Sequence, residues 1–95
     1  MAAVYILYSA SLDRFYRGSC RNLEERLRQH REKVFPESFT AKADDWVLFW
    51  SMDGLPYAGA RALENHLKKM RNRQYYQNLK RYPELVAKLR AKFSD

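Results

Sequence analysis

The sequence predicts a small α+β fold, within the broad α/β class, in which a three-stranded antiparallel sheet is flanked by helices. Three observations support this prediction. Short β-branched and aromatic runs occupy the first half of the chain, and leucines recur at helical spacing over the second half. The length of 95 residues leaves room for one hydrophobic core. The predicted order of elements is β-β-α-β-α-α-α, in a single domain that spans residues 1–95.

The first two elements are a predicted β-hairpin. Residues 4–8 are β-branched and aromatic, as is typical of strands, and serine and aspartate turn-formers follow them. The strand pattern resumes over residues 15–18. Because side chains alternate along a strand, Arg17 is expected on the sheet face opposite Tyr16.

The first helix is predicted from about residue 23 to 32. Asn22 is a preferred N-cap residue, and Glu25 stands three residues later as its capping-box partner. Residues 34–45 are polar and lack a sustained period, so they are predicted to form a loop. The apolar run over residues 46–50 predicts a third strand, central in the sheet and buried on both faces.

Beyond Pro56 the apolar pattern takes a helical period. Leu63, Leu67 and Met70 predict a helix from about residue 58 to 70, and a further helical segment is predicted over about 73–80. Pro83 suits the first turn of a last helix. The apolar positions on one face of this helix are Leu85, Val86, Leu89 and Phe93.

Composition excludes several classes of protein. Hydrophobic residues make up 46% of the chain, which suffices for a compact core and argues against disorder. The single cysteine excludes an internal disulfide and a cysteine-based zinc site, and it fits a reducing, cytoplasmic setting. The apolar run over residues 2–8 is too short to span a bilayer and lacks signal-peptide features, so we expect no membrane partner.

The net charge of +7 is concentrated in the C-terminal part of the chain. Residues 1–55 hold 8 Lys/Arg and 8 Asp/Glu, whereas residues 56–95 hold 10 and 3, so the excess is 0 and then +7. A basic surface favours a polyanionic partner, because each neutralised phosphate releases counterions. Charge therefore favours nucleic acid, although many small domains are basic for solubility alone.

Four segments carry recognisable motifs in a fixed order. They are VYI at residues 4–6, FYRGS at 15–19, NLEERLRQH at 22–30 and LENHLKK at 63–69. Together they resemble the GIY-YIG nuclease family, in its small stand-alone form, over roughly residues 3–80. The resemblance implies a divalent-metal-dependent endonuclease that hydrolyses DNA phosphodiester bonds. At residue 17 the family usually has Ile or Val, so Arg17 departs from its pattern.

Two tyrosines match the motif tyrosines of that family. The resemblance implies that Tyr5 is the general base and that Tyr16 helps to position substrate or water. A phenol with its ring in the sheet and its hydroxyl at the surface can hold a water near phosphorus. Considered without the motif, each residue is an ordinary strand tyrosine.

Two residues of the first predicted helix also match functional residues of that family. Arg26 and His30 lie four residues apart and therefore share a helix face. Arg26 matches the family's catalytic arginine, and a guanidinium can bind a phosphate and stabilise the charge of the transition state. His30 matches a frequent family histidine, which would orient the base or donate to a phosphate oxygen. Without the motif, Arg26 would be expected on a solvated face.

Glu64 is the only carboxylate in residues 58–80. The resemblance implies that it binds one Mg²⁺ or Mn²⁺, because one carboxylate with waters and phosphate oxygens usually holds magnesium at phosphoryl sites. The alternative is an exposed helical ion pair with Arg61 or Lys68.

The expected substrate is DNA, branched or single-stranded, because the chain offers phosphate contacts but no element that reads base edges. RNA and a targeting protein partner stay open. Cys20 and His66 are expected to be structural, and Asn78 fits a family asparagine better than Asn72. The residues expected to contact nucleic acid are Gly18, Lys68, Lys69, Arg71, Arg73, Lys88, Arg90 and Lys92.

Two other functions remain open on the sequence. One is a nucleic-acid-binding module of the same fold that has lost catalysis. The other is a basic helical protein-interaction domain, in which the charge only maintains solubility.

Overall fold

The computed structural model describes residues 1–32 and 43–94. Within these residues the chain forms three strands and four helices, in the predicted order. They are β1 (Ala2–Ser9), β2 (Arg14–Cys20), α1 (Leu23–Arg31), β3 (Trp46–Leu55), α2 (Tyr57–Met70), α3 (Arg73–Arg81) and α4 (Pro83–Phe93). The predicted loop over residues 34–45 lies largely outside the described residues.

The sheet is antiparallel, as predicted, and has the strand order β2-β1-β3. The sequence prediction that the third strand is central was wrong. β1 pairs with both other strands, so β3 lies at an edge, and Val47 and Leu48 are 60% and 45% exposed. An apolar run shows that a strand is compatible with burial, but the pairing partners decide which strand is central.

The two faces of β1 pack against different helices. Val4 and Ile6 face the core that α2, α3 and α4 form around Leu63 and Leu67. Tyr5 and its alternate neighbours face the opposite side, where the leucines of α1 pack partly buried against them. The sheet is therefore covered by α1 on one face and by three helices on the other, which buries residues 2–7 of β1 completely.

Side-chain caps define the starts of two helices. The Asn22 side chain accepts a hydrogen bond from the Glu25 amide at 3.0 Å, which confirms the predicted cap of α1. Asn72 caps α3 in the same way, accepting from the Gln74 amide at 2.9 Å. Asn72 therefore has a structural role in the α2–α3 junction. Across the described residues, no helix combines the length and apolarity needed to cross a bilayer.

Asp45 ties the hairpin turn to the start of β3. Its carboxylate accepts hydrogen bonds from the Ser9 hydroxyl at 2.5 Å, the Ser11 amide at 2.7 Å and the Ser11 hydroxyl at 3.0 Å. The Ser9 bond, followed by the Ser11 bonds, lowers the pKa of the Asp45 carboxyl below its usual value. The ionised form of Asp45 therefore stabilises this end of the sheet.

We expect the Asp45 contribution to depend on pH. Because the folded-state pKa lies below the unfolded value of about 3.9, the contribution is present above that value and is lost as pH falls through the folded pKa. Asp45→Asn should lower the free energy of unfolding at neutral pH, and the difference from the wild type should shrink towards about pH 3. Urea denaturation across this range measures the difference, with the exposed Asp53→Asn as control. A pH-independent difference would contradict the assignment.

Candidate active site at the edge of the sheet

Four of the five predicted catalytic residues lie together between β1, β2 and α1. The Tyr5 hydroxyl hydrogen-bonds His30 Nε2 at 2.9 Å, and the Tyr16 ring centroid lies 5.3 Å from that of His30. The Arg26 guanidinium lies close enough to the Tyr5 phenol for its charge to act on the pKa of that group. The shared helix face predicted for Arg26 and His30 is thus the face that meets both tyrosines.

Tyr5 is the most deeply placed member of this cluster. The prediction that its hydroxyl reaches the surface was wrong, because β1 is the central strand and Tyr5 is 0% exposed. Burial, with a smaller contribution from Tyr16, raises the pKa of Tyr5 far above its ordinary value, and Arg26 opposes this rise. Tyr5 is consequently a neutral phenol at physiological pH.

His30 is also held in its neutral form. It is 7% exposed, and burial followed by the charge of Arg26 lowers the pKa of its imidazole. A neutral imidazole has one donor and one acceptor nitrogen, so His30 can hold the Tyr5 hydroxyl in place without introducing a second buried charge. Tyr5 and His30 therefore form a neutral, buried pair next to Tyr16 and Arg26.

Tyr16 is the tyrosine of the cluster that reaches solvent. It is half-buried on β2, which has no partner on its outer side in the described sheet. A groove of about 210 Å³ runs past this edge and is lined by Phe15, Tyr16, Arg17 and Lys68. We call it the edge groove, and its lining brings a phenol and two cations within reach of a bound anion.

Glu64 approaches the same strand from the opposite face. It lies on α2, accepts a hydrogen bond from the Ser19 hydroxyl, and pairs with Lys68 at 2.6 Å. Its side chain is 19% exposed, so it is neither buried nor fully solvated. Because side chains alternate along β2, Ser19 points to the α2 side whereas Tyr16 points to the α1 side. The candidate site therefore spans the edge of β2.

The oxygen atoms at Glu64 and Ser19 are of the type that magnesium prefers as ligands. In the described parts of the chain, no three His, Cys, Asp or Glu side chains come together in a metal-binding cluster. One carboxylate beside the Ser19 hydroxyl matches a hard cation that keeps several waters and phosphate oxygens as ligands. Glu64 also forms the ion pair with Lys68 that the sequence allowed as an alternative. The Lys68 ammonium group and a metal cation would therefore compete for the same carboxylate.

Gly18 has a packing role at this site. It pairs with Tyr5 across the strands, and a Cβ atom at Gly18 would lie 2.5 Å from the Tyr5 hydroxyl oxygen. Gly18 is itself buried, so the structure does not support its predicted contact with nucleic acid. Because glycine has no Cβ atom, Gly18 leaves the space that the buried Tyr5 phenol occupies.

The predicted nucleic-acid contacts fall into separate regions. Lys68 lines the edge groove, and Arg71 and Arg73 lie beside the end of the hairpin. Arg90, by contrast, donates to the Asp53 carbonyl at 2.8 Å on β3, the opposite edge strand. On α4, Lys92 lies over the Phe93 ring and Lys88 is exposed, while Lys69 lies near His66. Lys68, Arg71 and Arg73 therefore lie near the hairpin, whereas Arg90 lies at the other edge of the sheet.

Two residues that the sequence analysis did not single out lie beside Arg26. The Arg21 guanidinium stacks on the Tyr57 ring, 4.6 Å from its centroid, and both line a groove with Arg26 and Ser19. Tyr57 is 46% exposed, so an aromatic surface is available next to the candidate catalytic arginine. In the sequence Tyr57 is only an aromatic residue at the start of the basic helix α2, which is a weak signal, because Arg21 meets it only through the fold.

The remaining polar candidates have structural contacts. Cys20 is buried, and burial raises the pKa of its thiol, which disfavours a reactive thiolate. His66 Nε2 hydrogen-bonds the Tyr75 hydroxyl at 2.9 Å, and Asn78 accepts from Gln74 at 3.0 Å. The structural roles expected for Cys20 and His66 agree with these positions.

The chain matches the model of a known protein family. The model of the GIY-YIG catalytic domain matches residues 1–78, which include every candidate catalytic residue. Comparisons with curated proteins and with solved structures gave no match.

We expect Gly18→Ala to destabilise the fold by about 1–3 kcal/mol, the usual cost of overpacking a well-packed core. The reason is the 2.5 Å approach of the added methyl group to the Tyr5 hydroxyl. In a Tyr5→Ala background the clashing atoms are absent, so the same substitution should cost little. Urea denaturation of the four proteins in a double-mutant cycle measures this coupling. Additive costs would contradict the proposed contact.

Proposed function

This chain belongs to the GIY-YIG family, and from that premise we propose that it is a metal-dependent endonuclease that hydrolyses DNA phosphodiester bonds. The family comprises nucleases, and these commonly use divalent metals. The observation that carries the proposal is the cluster of Tyr5, Tyr16, Arg26 and His30 on one face of the sheet, together with Glu64, which bonds Ser19 of β2 from the other face. In the proposed reaction, water attacks phosphorus in line and leaves 3′-hydroxyl and 5′-phosphate ends.

Arg26 is proposed to stabilise the transition state. A guanidinium presents a planar set of donors that can bind two oxygens of one phosphate. Its neighbours Tyr5 and His30 stay neutral, so Arg26 supplies the positive charge among these three side chains. A positioned cation of this kind stabilises charge as it develops on the phosphoryl oxygens.

Tyr16 is proposed to hold the attacking water. Tyr5 is proposed to position the Tyr16 side chain. The sequence resemblance implies the reverse assignment, but a buried phenol with a raised pKa is a poor base. Tyr16 lines the edge groove and its ring centroid lies 6.3 Å from that of Tyr5. The burial of Tyr5 and the exposure of Tyr16 support this exchange of roles.

Glu64 is proposed to hold Mg²⁺ or Mn²⁺, with Ser19 orienting its carboxylate through their hydrogen bond. A bound divalent cation would neutralise phosphate charge and stabilise the leaving oxygen. Lys68 competes for the same carboxylate and must release it when a metal binds. An ion pair between flexible helical side chains is weak enough to allow this.

Substitution of Glu64 tests the metal assignment. Glu64→Gln keeps an acceptor for Ser19 but removes the charge that a hard cation requires, so cleavage should fall by at least about 100-fold. Thermal stability and DNA affinity in EDTA should be almost unchanged. Glu84→Gln removes a matched carboxylate from the first turn of α4 and serves as the control. Cleavage of plasmid and branched DNA in Mg²⁺ is the measurement, and wild-type turnover by Glu64→Gln would exclude metal ligation.

A pair of tyrosine variants tests the assignment of roles. Tyr16→Phe removes the hydroxyl at the edge groove and should lower turnover by about 10²–10⁴-fold with little change in stability. Tyr5→Phe removes the buried bond to His30, so it should lower the melting temperature and reduce turnover less than Tyr16→Phe does. Single-turnover cleavage and thermal melting separate the two effects. A larger rate loss in Tyr5→Phe would restore Tyr5 as the base.

The same assay distinguishes the two alternative functions. DNA binding without cleavage by the wild-type chain would indicate a catalytically inactive binding module. Absence of binding to DNA and RNA would favour a protein-interaction domain.

A further inference from the structure

A second groove lies where the hairpin end meets the α2–α3 junction. It has a volume of about 380 Å³ and contains guanidinium groups from two separate parts of the chain. Four arginines and one aspartate give this lining a net charge of +3. We call it the arginine groove. Its lining includes Asp13, Arg14, Arg17, Arg71, Arg73 and Tyr76.

Two of these arginines are held in place by neighbouring groups. Arg73 donates to the Asp13 carboxylate at 2.6 Å and to the Asp13 carbonyl at 2.7 Å. Arg17 lies over the Tyr76 ring, with its guanidinium carbon 6.0 Å from the centroid, and donates to the Phe15 carbonyl at 3.0 Å. Such fixed guanidiniums lose little conformational freedom when an anion binds.

Folding stability does not account for Arg17 or Arg71. The buried Nε atom of Arg17 has no hydrogen-bond acceptor among the described residues, and an unsatisfied buried donor is unfavourable. Arg71 ends α2 with a φ of 38°, in the left-handed region where glycine is the preferred residue. Both guanidiniums oppose the burial-driven rise in the pKa of Tyr76, so both lie near its phenol.

The arginine groove and the edge groove share a boundary. Phe15 and Arg17 line both of them, so a basic path leads from Tyr16 and Lys68 to Arg71. We infer that the arginine groove binds a backbone phosphate of the strand that is cut, to one side of the scissile bond. The substrate strand then runs along the hairpin edge, and this path does not include the cations of α4. The inference rests on the proposed nuclease function.

Arg71→Gly gives a direct test, because it separates binding from stability. Glycine adopts the left-handed conformation without strain, so the melting temperature should be maintained or raised. Affinity for a labelled single-stranded DNA 20-mer, measured by fluorescence anisotropy in EDTA, should fall about tenfold. The slope of log affinity against log salt should decrease by about 1, as expected for the loss of one phosphate contact.

Two further variants make the result specific to the groove. Arg14→Gln removes an exposed groove cation and should also weaken binding severalfold. Arg81→Gln removes the same charge from the exposed end of α3, outside the groove, and should change affinity less than twofold.

The outcomes are distinguishable from those of the proposed function. If Arg71→Gly and Arg81→Gln lose DNA affinity equally while the wild-type chain cleaves DNA, the groove assignment alone is overturned. A wild-type chain that neither binds nor cuts DNA or RNA would overturn both.

Discussion

The contact between Tyr5 and Gly18 is the constraint on which the candidate site depends. The Tyr5 phenol occupies the position that a side chain at Gly18 would fill, and the two residues are direct partners across β1 and β2. This contact fixes the register of the hairpin, because a one-residue slip would turn Tyr5 towards the other face. It also places the Tyr5 hydroxyl against His30 of α1. The positions of α1, Arg26 and Tyr16 relative to one another follow from that packing.

An edge strand allows one site to draw on both faces of a sheet. Tyr16 and Arg26 belong to the α1 side, whereas Glu64 belongs to the α2 side, and we propose that one phosphate meets both sides at the rim of β2. Exposed strand edges also risk pairing with other chains. Along β2 and just beyond it, Arg14, Arg17 and Arg21 supply charge that opposes such pairing and attracts a polyanion. The same residues thus suit both solubility and substrate binding.

Burial determines which side chains of the candidate site are charged. Tyr5 and His30 stay neutral because desolvation disfavours their charged forms, so Arg26 carries the charge of the inner cluster. At the outer rim, Glu64 and Lys68 form an ion pair, which the proposed metal cation would have to displace. Tyr5 and His30 are buried, whereas the Lys68 side chain is 49% exposed, which fits the supporting and binding roles that we propose for the two parts of the site.

The sequence by itself determined the element order, the α1 cap at Asn22 and the family, because these depend on local periodicity, local hydrogen bonds and motif spacing. It also predicted that Arg26 and His30 share a helix face, which is a property of four-residue spacing. Tertiary structure alone decided that β1 is the central strand, since pairing depends on which distant segments meet. That placement buries Tyr5 and raises its pKa, and it leaves Tyr16 at the rim with access to solvent, although both are motif tyrosines on neighbouring strands. The arginine groove was equally inaccessible to sequence reasoning, because Arg17 and Arg71 are far apart in the chain and meet only through packing of α2 and α3 against the hairpin.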